Sequence, residues 1–196
     1  MANKAVLIAA MLAAAAFFLV RSQQQDDTGD DGEASPTAGD DASNMIDDGA
    51  ATVMSAFSNW PVGSGPYRDM IQQAADDNGM PVSILAWQLW KESRFLPDVI
   101  NGTRRSRVGA MGIAQFMPAT AVEELGSTDA ALDPAQAIPG MASYMAKLYR
   151  STGSWQAALA AYNWGIGNVT RKGLAMAPAE TTNYYTDIMD KAGVTA

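Results

Sequence analysis

Apolar positions in the second half of the chain recur at helical spacing between Gly and Pro punctuation. In Pro66–Asn78, Met70, Ile71, Ala74 and Ala75 fall on one helical face, and Gly79 follows as a stop signal. Pro81–Ser93 is apolar on nearly every face (Val82, Ile84, Leu85, Ala86, Trp87, Leu89, Trp90), which predicts a buried central helix with Pro81 in its first turn. Pro118–Leu125 reads as a short helix ended by Gly126. Asp133-Pro134 pairs an N-cap with a Pro at the first helical position, and that helix is expected to run to Tyr149, with a break at Pro139-Gly140. Ser154 caps Trp155–Asn163, which Gly165 stops, and Pro178–Lys191 is the last helix, with Gly193 beyond. No stretch alternates with period two, so the folded part reads as mainly α.

The first half is patterned differently. Ala5–Val20 is a 16-residue apolar run between Lys4 and Arg21, a little short of the roughly 20 residues of a full membrane span. A cleaved signal peptide would need a small-residue cleavage site. Here the run closes on bulky Phe17, Phe18, Leu19 and Val20, which favours an uncleaved anchor over residues 1–21, its amino terminus cytoplasmic. Residues 22–55 are rich in Asp, Gly, Ser, Ala and Gln and are expected to be a disordered acidic linker, since they have too little apolar surface to offset chain entropy. Aromatic residues recur from residue 56 onward, so 56–196 is expected to be one folded domain.

Composition sharpens this division. The 196 residues carry 21 acids and 13 bases, a net charge of −8. Nine acids and no base lie between Ser22 and Tyr67, so the acidity belongs to the linker and the folded part is nearly neutral. Nucleic acid is thereby disfavoured as a partner. The chain has no Cys and no His. Disulfides, thiolate nucleophiles, Ser–His–Asp triads and HExxH zinc sites are excluded. Catalysis would fall to carboxylates, Lys, hydroxyl groups or a carboxylate-held metal.

Among the carboxylates, Glu92 stands out. It ends the most apolar helix and lies by helical spacing beside Leu85, Gln88 and Leu89. Desolvation there would raise its pKa and suit it to act as a general acid; a surface pairing with Lys91 or Arg94 is the alternative. Gln115 is the polar residue of an otherwise apolar stretch, Gly112–Pro118, and either serves the loop backbone or presents its amide to a ligand. Tyr162 and Asn163 end a helix. Glu180 opens the last one, where a carboxylate also favours the helix dipole.

In order, Glu92-Ser93-Arg94-Phe95, Gly112-Ile113-Ala114-Gln115-Phe116-Met117-Pro118, Ala161-Tyr162-Asn163-Trp164-Gly165 and Glu180-Thr181 with Tyr184 closely resemble the catalytic domain of the soluble lytic transglycosylase family, which shares the lysozyme-like fold of goose-type lysozyme. The resemblance covers residues 64–191. It implies Glu92 as the single catalytic acid/base, Ser93 as its supporting neighbour, Gln115 in the sugar cleft and Tyr162-Asn163 at its floor. It also implies that Glu180 orients that tyrosine, with Tyr184 as partner. Three features depart from the family pattern: Ala114 where a bulkier residue is usual, Trp164 where a small one is, and a loop carrying Arg104, Arg105 and Arg107. Trp164 is the Trp best placed for sugar stacking. The arginine run reads as a solvated loop in preference to a site for acidic peptide stems.

The implied reaction cleaves the bond from N-acetylmuramic acid to N-acetylglucosamine in peptidoglycan glycan strands and closes a 1,6-anhydro ring, with no metal and no cofactor. A hydrolytic muramidase or a non-catalytic wall-binding or assembly protein of the same fold are the alternatives. The expected setting is a lipid membrane held through residues 5–20, either a bacterial inner membrane with the domain on the periplasmic side or a bacteriophage virion membrane. Virion or envelope assembly partners are left open.

Overall fold

A computed structural model describes residues 59–104 and 106–195. The expected anchor, the acidic linker, residues 56–58 and Arg105 lie outside the described residues. Among the described residues no helix is long and apolar enough to cross a membrane. They form helices and tight turns and no β-strand, the nearest thing to one being an isolated antiparallel bridge between Met111 and Phe116.

A 3-10 turn, Gly65–Tyr67, leads into α1, Arg68–Asn78. Its Ile71, Ala74 and Ala75 are buried, and Gly79 ends it in the left-handed conformation (φ 61°). α2 is Val82–Ser93, with Pro81 outside the helix as its N-cap. Ile84, Leu85, Ala86, Gln88 and Leu89 are buried, but α2 is not apolar-packed all round as its sequence suggests. Trp87 and Trp90 stay half-buried at one margin. The Trp87 indole N–H donates to the Asn59 carbonyl at 3.0 Å, and the Arg94 guanidinium lies 3.5 Å over the Trp90 ring. Amphipathic rings with polar or cationic partners are stable at such a margin.

A single turn, α3 (Pro97–Ile100), and the short α4 (Pro118–Leu125) follow; the first is too brief to carry a periodic signal. α5, Pro134–Thr152, begins as expected, with the Asp133 side chain accepting from the Ala135 N–H at 2.9 Å. It passes Pro139 without the expected break and ends at Thr152 instead of Tyr149. The ring removes one backbone hydrogen bond. Ala137, Ile138, Met141 and Ala142 are buried on either side and hold the helix together. Gly140 serves packing here. A Cβ on it would lie 2.0 Å from Leu125 Cδ2, so its bare backbone lets the end of α4 approach.

α6, Trp155–Trp164, is the innermost helix: Ala157, Ala158, Leu159, Ala160 and Ala161 are all buried. Ser154 caps it by accepting from the Ala157 N–H at 3.2 Å. Ser154→Ala is expected to lower stability by about 1 kcal/mol with activity otherwise intact, measured by urea unfolding. Gly165 ends α6 and at once starts a further helix, α7 (Ile166–Lys172), which the sequence does not announce. A 3-10 turn, Leu174–Met176, leads to α8, Ala179–Ala192. α1 packs on α5 and α2, α6 lies between α5 and α8, and α8 closes against α2. That last contact brings the end of α2 to the first half of α8.

Candidate active site

Glu92 occupies the last turn of α2, where the backbone is unusual. Arg94 and Phe95, neither a glycine, follow in the left-handed region at φ 54° and 53°. Such strain persists only where surroundings impose it. Arg94 N–H donates to the Trp90 carbonyl at 2.8 Å, and the buried Phe95 ring stacks on Tyr67 with centroids 5.6 Å apart. Ser93, 1% exposed, completes the turn: its hydroxyl donates to the Leu89 carbonyl at 2.9 Å and accepts from the Phe95 N–H at 3.1 Å. Ser93 is therefore turned into the fold, beneath the turn that presents Glu92.

The Glu92 residue keeps part of its surface, yet its carboxyl is desolvated. Burial pushes its pKa from 4.5 to about 7, against opposing pulls from the Tyr184 hydrogen bond and the Lys91 charge. The Tyr184 hydroxyl donates to Glu92 Oε1 at 2.5 Å. Tyr184 is 6% exposed, and burial followed by the Glu92 charge raises its own pKa well above 10. Lys91 points the other way and bonds Asp187 Oδ2 at 2.6 Å, with Lys191 on the second oxygen of Asp187. This lysine–aspartate–lysine cluster pins α2 to α8 next to the Glu92–Tyr184 contact.

Tyr162, from α6, is a second ring near the carboxyl. Its hydroxyl donates to the Ala114 carbonyl at 2.7 Å, and burial, then the charges of Glu92 and Tyr144, push its pKa well above 10. Phe116, Tyr144 and Tyr162 pack as an aromatic wall with centroids 5.7 to 6.5 Å apart. Gln115 sits on this wall in the left-handed region (φ 50°). Its Nε2 donates to the Gly112 carbonyl at 2.9 Å, so half of its amide serves the loop, as one of its two sequence readings has it. Together with Phe116, Met117, Thr120, Tyr144 and Tyr162 it lines a small pocket of about 60 Å³. A larger cavity, about 440 Å³, lies along the far part of α8 around Tyr185, Met189 and Val194 and involves none of these residues. The chemistry of the groups, not cavity size, marks the site.

Asn163 and Glu180 stand at the rim. Asn163 is exposed and accepts from Thr181 Oγ1 at 2.8 Å, tying the end of α6 to the start of α8. Glu180 is exposed, and its carboxylate has no hydrogen bond or ion pair among the described residues. The orienting contact expected of Glu180 on Tyr162 is made by the Ala114 carbonyl, and Tyr184, expected as its partner, bonds Glu92. A glutamate in the first exposed turn of α8 gains more from water and the helix dipole than from burial. Sequence reasoning passed over Thr181 (2% exposed) and assigned no role to Gln88. Their one available signal is polarity at positions whose helical neighbours are apolar.

Trp164 is half-buried and carries Lys172 Nζ 5.1 Å over its ring. Arg104 pairs with exposed Asp98 at 3.3 Å, in keeping with a solvated loop. Among the described residues no group of three or more carboxylates is placed to hold a metal ion.

Residues 69–184 match the family model described as the transglycosylase SLT domain. The chain is 33% identical over 141 residues to the peptidoglycan transglycosylase gp16 of Escherichia phage T7, covering 64% of this chain and 10% of that protein. It is 36% identical over 111 residues to the membrane-bound lytic murein transglycosylase F of Maricaulis maris, covering 53% of this chain and 23% of the relative. Among solved structures it is similar to an inactive Glu-to-Gln mutant of the lytic transglycosylase Slt from Pseudomonas aeruginosa, with a TM-score of 0.56 and 27% identity over 64% of this chain and 23% of that one. The chain thus spans between a tenth and a quarter of the length of these relatives. With a mainly helical fold, a glutamate whose desolvated carboxyl meets a tyrosine and more than half its length matched to one family model, the chain belongs to the SLT transglycosylase family.

Proposed function

We propose that this chain is a peptidoglycan lytic transglycosylase in which Glu92 is the single acid/base. The observation that carries the reading is the desolvated Glu92 carboxyl, held near pKa 7 and contacted by Tyr184. A carboxyl half-protonated near neutral pH serves equally as proton donor and acceptor. Tyr184 and Lys91 offset the burial of its carboxyl, and the match to the transglycosylase family supports a single acid. A two-carboxylate glycosidase would need a partner acid to act as nucleophile or to activate water.

In the proposed reaction, protonated Glu92 gives its proton to the oxygen joining N-acetylmuramic acid to N-acetylglucosamine, and the C1–oxygen bond breaks. The C6 hydroxyl oxygen of the same muramic residue then bonds to C1. Its proton passes to the Glu92 carboxylate, which returns to the acid form. No water is consumed, and the attacking hydroxyl gains from being part of the same sugar. Gln115 and Asn163 are assigned to the sugar through their amides, and the Tyr162 ring to the floor of the site. Ser93 is assigned the upkeep of the turn that aims Glu92, and Glu180 an exposed place at the rim.

The proposed organisation is an anchor at residues 1–21, an acidic tether at 22–55 and the catalytic domain at 56–196. The domain would then act on nearby wall from a host inner membrane or a virion membrane. Relatives named as a phage transglycosylase and as a membrane-bound transglycosylase support both settings. The test is mass spectrometry of peptidoglycan digested by the full chain. Fragments ending in 1,6-anhydro-muramic acid are expected; reducing ends alone would assign the protein to hydrolysis, and intact glycan would remove the enzyme reading.

A further inference from the structure

Gln88 lies one helical turn before Glu92 on α2 and is completely buried, 0% exposed. Its Nε2 donates to the Tyr184 hydroxyl at 3.3 Å and lies 3.4 Å from Met145 Sδ. Its Oε1 is equally buried and accepts no hydrogen bond among the described residues. An amide is costly in an apolar core when one half has no partner, so packing does not account for glutamine here.

The proton inventory of Tyr184 does account for it. A tyrosine hydroxyl has one proton to donate, and its oxygen can also accept. With the Gln88 N–H directed at that oxygen, the Tyr184 proton goes to Glu92, an arrangement that serves the charged carboxylate. When Glu92 is protonated, its own O–H seeks an acceptor and the Tyr184 oxygen is nearest. The Tyr184 proton must then be placed elsewhere. A half-turn of the Gln88 amide about its broad, two-fold terminal torsion presents Oε1 for it. A Gln amide carries its donor and acceptor on separate atoms that a half-turn interchanges.

We propose that Gln88 is a positioning residue that lets Tyr184 serve both protonation states of Glu92, presenting Nε2 to the tyrosine when Glu92 is charged and Oε1 when it is protonated. The inference rests on the reading of Glu92 as acid and base in turn. The other groups facing Glu92 do not duplicate the role. Lys91, on its own helix, only donates; it is bonded to Asp187 and feels the charge of Arg94. Tyr162, from α6, gives its proton to the Ala114 carbonyl.

The experiment follows the Glu92 carboxyl by carbon-13 NMR titration in the full chain, beside the pH profile of peptidoglycan cleavage. Gln88→Met keeps the volume and removes the amide. The bond lost in the charged state, from the Gln88 N–H to the Tyr184 oxygen, polarises the hydroxyl that donates to the Glu92 carboxylate, so its loss weakens that charge-assisted contact and the Glu92 midpoint should rise by about half a pH unit. kcat should fall several-fold with KM little changed. Gln88→Leu, of different shape, should give the same displacement. In a Tyr184→Phe background, Gln88→Met should move neither quantity further, since the path through the tyrosine is already cut. An unmoved or lowered midpoint in both single variants, or a further displacement in the Tyr184→Phe background, overturns the inference. Absence of anhydro-ended products from the wild-type protein instead overturns the proposed function, a result the titration distinguishes because it needs no turnover.

Discussion

Glu92→Gln is expected to lower kcat/KM on peptidoglycan by about a thousandfold or more while leaving the helical circular dichroism unchanged. Loss of a positioned acid/base removes about two to four orders of magnitude, and here one group is assigned both proton transfers. The Gln amide oxygen can still accept from Tyr184, so the local packing has no reason to collapse. Wild-type kcat/KM should fall as pH rises above about 7, because the acid form of Glu92 is then lost. Stability moves with the same proton. The folded-state pKa of about 7 lies above the unfolded value, so the stabilisation of the protonated form is complete below about pH 4 and disappears as pH rises through 7. A neutral Gln escapes that loss. Glu92→Gln should therefore be more stable than wild type by about 2–3 kcal/mol at pH 8, and the gap should close near pH 4. Unfolding at the two pH values measures it, and equal stability at both would remove the case for a desolvated carboxyl. Activity close to wild type in the variant would remove the assignment of Glu92.

Gly112→Ala has the other large expected effect, on folding. Gly112 adopts φ 73° in the loop that carries Gln115, and a Cβ there would lie 1.6 Å from the Ala131 carbonyl oxygen. The obstacle is backbone, which cannot swing aside as a side chain does. A left-handed alanine alone costs about 1–2 kcal/mol. The clash adds displacement of the loop or of the Asp129–Leu132 turn beside it. A total of about 4 kcal/mol or more is expected, enough to leave a marginal domain largely unfolded at 37 °C. Thermal unfolding measures this, and a melting temperature within a few degrees of wild type would show that the loop has room. The neighbouring bridge, Met111 N–H to the Phe116 carbonyl and back at 3.0 Å each, holds Gln115 in place, so any folded variant should also lose activity.

Much of the site was legible along the chain because much of it is local. Glu92 ends an apolar helix and lies one turn beyond Gln88, and that neighbourhood is set by 3.6-residue periodicity. Gly79, Gly126 and Gly193 end helices where they are expected to, since the left-handed cap needs no tertiary partner. Pro139 misled because its cost is local while the burial that outweighs it is not. The α7 helix was missed for a related reason. Seven residues with one buried side chain, Val169, carry no periodic signature, and the helix stands on its contact with α6.

The partners of each functional side chain lie far away in sequence. Tyr184 is 92 residues from the carboxyl it contacts, and the Ala114 carbonyl is 48 residues from Tyr162. Choosing Thr181 over Glu180 as the residue that meets Asn163 turns on which side of the first turn of α8 faces α6, a matter of docking angle. The amino-acid order was sufficient for the helical class, most helix limits, the caps and the place of Glu92 at the end of an apolar helix, because each follows from forces acting across about one helical turn. The acidity of that group, its tyrosine contact and the buried amide behind it arise from desolvation and hydrogen bonding between helices distant along the chain, and these exist only once α2, α6 and α8 have packed.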